Sequence, residues 1–122
     1  MAKILIADDQ PYVRELLSEE LLNEGYEISD VGDANSLWRH LVDSQPDLVL
    51  LDLYFVGFQG FDFLHDIKRL FPNLPVLIVT GYDTFRDDPR LAQADGYWIK
   101  DFVHFDLIKR EVAEILKNNV RR

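Results

Sequence analysis

Cysteine is absent from the 122 residues of this sequence, so disulfide bonds and thiolate metal sites are excluded. No apolar run is long enough to cross a membrane and no signal-peptide pattern is visible, which predicts a soluble cytoplasmic protein. Basic residues are few: 13 Lys and Arg stand against 22 Asp and Glu, a formal net charge of -9. Because no basic stripe offsets this charge, direct nucleic-acid binding is not expected, and Arg121-Arg122 is better explained as a favourable helix C-terminus.

Internal repeats and low-complexity segments are also lacking. The hydrophobic content of 48% is that of an ordered globular chain, and 122 residues are enough for one domain with a real core. We therefore expect a single domain over residues 1–122.

Apolar and helical segments alternate along the chain. Strands are predicted at residues 3–7, 26–31, 47–54, 76–81 and 97–100. The third and fourth of these are almost uninterrupted apolar runs, which is typical of parallel strands covered by helices on both faces. Helical periodicity lies between residues 11 and 25, 33 and 46, 61 and 71, and 107 and 116.

The stretch after the fourth strand is less regular. Residues 82–88 have no clear period, and Asp88-Pro89 can start only a short helix, through about Gln93. Two glycines between Asp52 and Phe61 predict a loop that folds back across the end of the third strand. The whole pattern predicts an α/β fold: a doubly wound, five-stranded parallel sheet of the flavodoxin-like class, order 2-1-3-4-5, with five helices, the fourth short or irregular.

Polar side chains stand at the carboxyl ends of four predicted strands. They are Asp8 and Asp9 after the first, Asp52 at the third, Thr80 at the fourth and Lys100 at the fifth. These strand ends meet at one edge of a parallel sheet, where open α/β sheets bind their ligands. The five side chains are therefore expected to form one site.

Three carboxylates in one small cleft repel each other. At roughly 5 Å and an effective dielectric constant of about 20, each pair costs about 3 kcal/mol, so the site calls for a cation. Mg²⁺ fits, because it takes oxygen ligands and keeps waters that a phosphate can displace. With Mg²⁺, the Lys100 ammonium and the Thr80 hydroxyl neutralising phosphoryl oxygens, Asp52 is interpreted as a nucleophile that accepts a phosphoryl group.

In this order and spacing, the motifs resemble the receiver domains of two-component response regulators, including the single-domain chemotaxis regulator. The resemblance spans essentially the whole chain. It rests on Asp8-Asp9, on Leu50-Leu51-Asp52-Leu53 with Gly60 eight residues beyond the acid, on Thr80-Gly81, and on Gly96-Tyr97-Trp98-Ile99-Lys100.

The resemblance implies specific roles for the acidic residues. Asp52 would accept the phosphoryl group from the phosphohistidine of a sensor histidine kinase or phosphotransfer protein. Mg²⁺ would be held by Asp9, Asp52 and the Tyr54 carbonyl, with Asp8 acting largely through metal-bound water. The chain would catalyse its own phosphorylation and dephosphorylation and would not be an enzyme with a separate substrate.

The resemblance also implies a route from the acceptor to an output domain or partner protein. Thr80 and Lys100 would bind phosphoryl oxygens, and Thr80 would move toward the phosphate with Tyr97 following as an aromatic switch. The change would reach the face formed by the fourth helix, the fifth strand and the fifth helix, where a homodimer is one possibility. Tyr54 and Tyr82 flank the phosphoryl position and would shield it from water, which predicts slow autodephosphorylation.

Three features depart from the family pattern. Asp101 stands where the family usually has proline, and a trans Lys100–Asp101 peptide is expected because a cis bond before a non-proline residue costs about 3 kcal/mol. Asp101 is also expected to compete with phosphate for Lys100. Phe55-Val56 replaces the usual Met-Pro, so the loop after the acceptor is expected to sit differently. The weak fourth helix lies in a region that the family often uses for dimerisation and output.

Other functions are weighed against this one. A receiver-fold interaction module that is never phosphorylated is the first alternative. A magnesium phosphatase of the dehalogenase-like class would need an Asp-x-Asp motif, which Asp8-Asp9-Gln10 lacks. A flavodoxin is disfavoured because the acidic loop would repel the flavin phosphate. Phe55, Phe58 and Phe61 predict an aromatic rim beside the site.

Overall fold

The protein is described by a computed structural model that covers residues 1–119. Arg121-Arg122, predicted to favour a helix C-terminus, lies outside the described residues. Five strands form one parallel sheet in the order β2-β1-β3-β4-β5. They are β1 (Lys3–Ala7), β2 (Glu27–Val31), β3 (Leu48–Asp52), β4 (Val76–Thr80) and β5 (Gly96–Ile99). The predicted class and strand order are confirmed.

Five helices accompany the strands in the described part of the chain, and the last of them follows β5. They are α1 (Pro11–Leu22), α2 (Ala34–Asp43), α3 (Phe55–Phe58), α4 (Gly60–Leu70) and α5 (Asp106–Asn119). Between β4 and β5 there is one 3-10 turn, Pro89–Leu91, at the place where a short or irregular helix is predicted. None of the helices in residues 1–119 combines the length and apolar character needed to cross a membrane.

The helices cover both faces of the sheet. Alternate side chains of each strand point to opposite faces, and both apolar sets of β3 and β4 are fully buried. On one face the strands pack against α2 and α4 through Leu37, Leu41, Leu64 and Ile67. On the other they pack against α1 and α5 through Val13, Leu17, Ile108 and Val112. The sheet that carries the strand ends is therefore packed on both faces.

The segment after Asp52 differs from the predicted loop. It contains the one-turn helix α3, in which Val56 (φ 51°) and Gly57 (φ 66°) have left-handed backbone conformations. Phe58 has φ 68°, so three successive residues adopt this conformation. Left-handed dihedral angles are unfavourable for β-branched and aromatic residues, which is why the sequence alone does not predict them.

Gly60 begins α4 directly behind the end of β3. A Cβ atom at Gly60 would lie 2.5 Å from the Leu53 Cα and 2.8 Å from the Asp52 carbonyl oxygen, both main-chain atoms. We expect Gly60→Ala to lower the free energy of unfolding by about 1–3 kcal/mol, the usual cost of overpacking, in urea denaturation. Gly81→Ala is the matched control, since nothing lies within 4 Å of the added Cβ. Equal stability of the two variants would contradict close packing of α4 on β3.

Candidate functional site

Three polar residues are buried at the carboxyl edge of the sheet, within an otherwise apolar core: Asp8, Asp52 and Thr80. Lys100 joins the two acids. Its Nζ lies 3.0 Å from Asp8 Oδ2 and 3.2 Å from Asp52 Oδ2, and its side chain is only 11% exposed. The ends of β1, β3 and β5 thus bring one cation between two carboxylates.

The pKa values of Asp52 and Lys100 follow from this arrangement. Burial raises the pKa of Asp52, and the charge of Asp8 raises it further, against the opposing effects of the Tyr54 N–H and Lys100. Burial alone would lower the pKa of Lys100, but attraction to Asp52 and Asp8 raises it above its ordinary value. Lys100 therefore stays charged at neutral pH. A further cation beside Asp52 would stabilise the ionised form of its carboxylate.

Asp8 has one oxygen atom that suits a metal or a metal-bound water. Its Oδ1 accepts a hydrogen bond from the Gln10 N–H at 2.9 Å. Its buried Oδ2 faces Lys100 but accepts no well-aligned hydrogen bond. Buried carboxylate oxygens normally have such a partner, and Mg²⁺ prefers oxygen ligands, so the donor set fits this ion.

Asp9 is exposed and turned toward α3. Its Oδ1 accepts a hydrogen bond from the Val56 N–H at 2.9 Å. The Tyr54 carbonyl, the other predicted ligand outside the buried pair, accepts a hydrogen bond from the Phe58 N–H at 3.2 Å. As the side chains stand, no three acidic or histidine residues between positions 1 and 119 are grouped closely enough to hold a metal. In this conformation the acidic side chains predicted to bind Mg²⁺ are therefore not assembled around a metal position.

Thr80 and Tyr97 are both bound to the main chain of Tyr82. The Tyr82 N–H donates to Thr80 Oγ1 at 3.2 Å. The Tyr97 hydroxyl donates to the Tyr82 carbonyl at 2.7 Å. Burial raises the pKa of Tyr97, so the hydroxyl keeps its proton for this bond. Tyr82 therefore links the two residues of the predicted switch, a role that only its position two residues after Thr80 could have indicated.

An aromatic cluster, which we call the rim, lies beside the site. It consists of Tyr54, Phe58, Phe61, Tyr82 and Phe85. The ring of Tyr54 lies 4.7 Å from that of Phe58 and 5.5 Å from that of Tyr82. Phe85 lies 5.3 Å from Phe58 and 5.7 Å from Phe61. The rim thus joins the segment after β3 to the segment after β4.

Phe55 is not part of this rim, contrary to prediction. It is fully buried in the core and packs edge-on against Phe63, with ring centres 5.3 Å apart. The sequence also gave no sign of Phe85, because the segment that carries it has no periodicity.

Asp101 forms a local cap in place of the expected contact with Lys100. Its Oδ1 accepts hydrogen bonds from the Val103 and His104 N–H groups at 3.0 and 3.1 Å, and Oδ2 lies 3.0 Å from His104 Nδ1. These hydrogen bonds lower the pKa of Asp101. The expected competition for Lys100 is not seen, because its acidic partners are Asp8 and Asp52. The Lys100–Asp101 peptide is trans, as predicted.

Comparison with known proteins gives the family. The response regulator receiver domain matches residues 4–112. The DNA-binding transcriptional regulator NtrC of Bradyrhizobium sp. (strain RP501 Parasponia) is 36% identical over 94 residues, which are 77% of this chain and 20% of NtrC. The probable transcriptional regulatory protein TcrX of Mycobacterium tuberculosis is 32% identical over 119 residues, which are 96% of this chain and 51% of TcrX. The chain thus spans about a fifth of the first protein and half of the second.

A solved structure agrees with these relatives. The response regulator protein TrrA of Thermotoga maritima, crystallised in complex with Mg(2+)-BeF, has a TM-score of 0.88 at 34% identity, covering 94% of this chain and 99% of TrrA. The resemblance stated from the motifs is confirmed. Receiver domains are signalling modules and not enzymes that turn over a separate substrate. The chain therefore belongs to the response regulator receiver domain family of two-component signalling systems.

Proposed function

We propose that residues 1–122 act as a single phosphoryl-accepting receiver domain in which Asp52 is the acceptor. One observation carries the proposal: Lys100 lies between the buried carboxylates of Asp8 and Asp52 at the carboxyl edge of the sheet. An Asp52 oxygen attacks the phosphorus of a phosphohistidine. The bond from phosphorus to the imidazole nitrogen breaks, and the imidazole leaves with a proton. An acyl phosphate on Asp52 is the product.

The other residues of the site position and neutralise the phosphoryl group. Mg²⁺ would be held by Asp9, Asp52 and the Tyr54 carbonyl, with Asp8 acting through bound water, and TrrA in complex with Mg(2+)-BeF supports this choice of ion. When bound, Mg²⁺ supplies positive charge to phosphoryl oxygens. Lys100 is already charged and close to Asp52, so it can bind the same oxygens without an additional proton.

Thr80 and Tyr97 form the proposed relay. Moving Thr80 Oγ1 toward a phosphoryl oxygen requires it to give up the bond from the Tyr82 N–H. The Tyr82 carbonyl accepts a hydrogen bond from the Tyr97 hydroxyl, so a shift of Tyr82 would be transmitted directly to Tyr97 on β5. The proposed output surface is the 3-10 turn, β5 and α5.

A histidine kinase or a phosphotransfer protein is the proposed phosphodonor, and TrrA has been crystallised in complex with the histidine kinase ThkA. The start of α1 and the segment after Lys100 follow strand ends at this edge of the sheet and offer apolar contacts for such a partner. Tyr12 and Val103 are exposed there, and the Tyr12 ring lies 6.3 Å from that of Phe102. NtrC and TcrX are longer transcriptional regulators, which supports an output domain or partner protein downstream. Cytoplasmic location, absence of nucleic-acid binding and a homodimer stay predictions.

Acetyl phosphate with Mg²⁺ tests the proposal directly. A receiver should gain the mass of one phosphoryl group, measured on the intact protein, and beryllofluoride should change its amide spectrum in the presence of Mg²⁺. An interaction module that is never phosphorylated would show neither change, and that result would overturn the proposal.

Tyr54 and Tyr82 are expected to slow hydrolysis of the acyl phosphate. Their ring centres lie 5.5 Å apart in the segments that follow Asp52 and Thr80, and this placement supports the proposal that they restrict the approach of water. We expect Tyr54→Ala and Tyr82→Ala each to shorten the phosphoryl lifetime several-fold, followed by intact mass after removal of acetyl phosphate. Tyr12→Ala is the matched control, because Tyr12 is 56% exposed, as Tyr82 is 55%, but lies outside the rim. Wild-type lifetimes in both rim variants would rule out shielding.

A further inference from the structure

The turn α3 engages two of the oxygen atoms proposed to bind Mg²⁺. The Val56 N–H donates to Asp9 Oδ1 at 2.9 Å, and the Phe58 N–H donates to the Tyr54 carbonyl at 3.2 Å. A carbonyl oxygen has a second lone pair and can accept a hydrogen bond while it binds a metal. The Asp9 carboxylate has a second oxygen, Oδ2, but with Oδ1 bonded to the Val56 N–H no three acidic or histidine side chains within residues 1–119 are close enough to hold a metal, so the carboxylate has to turn.

The same turn is strained. Val56, Gly57 and Phe58 have φ values of 51°, 66° and 68°. A β-branched residue with such a φ is a true outlier. The left-handed conformation is disfavoured relative to the right-handed one by about tenfold, or about 1.4 kcal/mol. Backbone strain of this kind persists only where surrounding contacts impose it, and strained residues are concentrated at functional sites.

Besides the hydrogen bonds within the turn and the buried Phe55 ring, two sets of contacts involve its strained residues. One is the hydrogen bond from the Val56 N–H to Asp9. The other is the packing of the Phe58 ring, whose centre lies 4.7 Å from that of Tyr54, 5.4 Å from Phe61 and 5.3 Å from Phe85. The first contact is lost when Asp9 turns to a metal, while the second is not directly affected.

We infer that Val56 is a positioning residue that sets the Mg²⁺ affinity of the site. Its N–H competes with the metal for Asp9, and the strain in the turn limits how well it competes. If Asp9 turned to a metal, the Val56 N–H would lose its acceptor, and Val56 would no longer be held in the left-handed region by that hydrogen bond. This inference rests on the proposed function, because it takes Asp9 as a metal ligand.

Substitutions at Val56 separate the two effects. Val56→Gly removes the strain but keeps the N–H, so the turn competes better and Mg²⁺ binding weakens, by up to about tenfold. Val56→Pro removes the N–H and cannot adopt φ near 51°, so competition ends and binding tightens. Val56→Ala keeps the N–H and removes only the part of the strain that comes from β-branching, so its affinity should lie between those of wild type and Val56→Gly. A turn that merely connects β3 to α4 would give no such opposite shifts.

The experiment titrates each variant of residues 1–122 with Mg²⁺ without phosphodonor and follows amide resonances to obtain Kd. In the wild type, hydrogen exchange of the Val56 amide should also accelerate on Mg²⁺ binding. The Arg90 amide is the matched control, because it donates to Asp88 Oδ1 at 2.9 Å away from the site. This exchange measurement and Val56→Gly keep the test decisive if Val56→Pro does not fold.

The outcomes distinguish the inferred role of Val56 from the proposed metal site on which it rests. Wild-type protein that binds no Mg²⁺, or binds it equally well as Asp9→Asn, would overturn the proposed metal site itself. If Asp9→Asn abolishes binding while Val56→Gly keeps the wild-type Kd and the Val56 amide stays protected, the metal site stands and the inference is wrong.

Discussion

Asp52→Asn is expected to abolish phosphoryl uptake from acetyl phosphate. An amide oxygen is a far weaker nucleophile than a carboxylate, and the other acid paired with Lys100, Asp8, is proposed to act through metal-bound water. Intact-protein mass after incubation with acetyl phosphate and Mg²⁺ is the measurement. Asp43→Asn, which alters an exposed acid at the end of α2, should be phosphorylated as wild type. A full mass gain in Asp52→Asn would place the acceptor elsewhere.

This loss should not come from unfolding. Because burial and Asp8 raise the pKa of Asp52 in the folded state, ionised Asp52 lowers the stability of the fold as pH rises through that pKa. Below the ordinary Asp pKa the side chain is protonated in both folded and unfolded states, and the effect vanishes. Asp52→Asn should therefore be at least as stable as wild type at neutral pH.

Lys100→Met is expected to lower the free energy of unfolding by about 3–5 kcal/mol at neutral pH, because it leaves two buried carboxylates without their cation. Urea denaturation measures this directly. The pKa of Lys100 is raised in the folded state, so its contribution is complete below the ordinary Lys pKa and is lost as pH rises through the folded value. The deficit of the variant should also shrink in acid, once Asp52 is protonated.

Two controls test whether pairing is the cause. Lys109→Met removes another lysine, whose Nζ lies 2.9 Å from Glu20 Oε1 at the surface, and should have a much smaller effect. Adding Asp52→Asn to Lys100→Met removes one of the two buried carboxylates that have lost their cation and should restore much of the free energy of unfolding. A Lys100→Met protein as stable as wild type would mean that the buried acids are neutralised in another way.

The sequence predicted the parts of the site that depend on strand ends. Asp8, Asp52 and Lys100 follow apolar runs, and parallel pairing necessarily brings the ends of such runs to one edge. These positions follow from periodicity and topology, which are properties that a single sequence expresses clearly.

The segment after Asp52 could not be predicted in this way. Neither Val56 nor Phe58 prefers a left-handed backbone, so local preference opposes the observed turn. What favours it is tertiary: a hydrogen bond to Asp9 from β1's end and the packing of Phe58 on Phe85 from beyond β4. Neither partner is visible from the local sequence.

The prediction that Asp101 would compete for Lys100 was wrong for the opposite reason, because a local contact was overlooked. Its adjacency to Lys100 suggested a charge interaction, but hydrogen bonds to the Val103 and His104 N–H groups are closer in the chain and satisfy the carboxylate locally. Short polar side chains commonly bind main-chain groups two or three residues ahead.

The aromatic rim has a consequence for the order in which the molecule assembles. Phe58 and Phe85 belong to segments separated by α4 and β4, so their contact closes a long loop and depends on prior pairing of β3 with β4. Asp8, Asp52 and Lys100 come together once the strands have paired, whereas the rim also requires the segments that follow β3 and β4 to be in place. A partly folded chain could expose Asp52 before Tyr54 and Tyr82 cover it. Under the proposed function, retention of a phosphoryl group would then mark a chain that has finished folding.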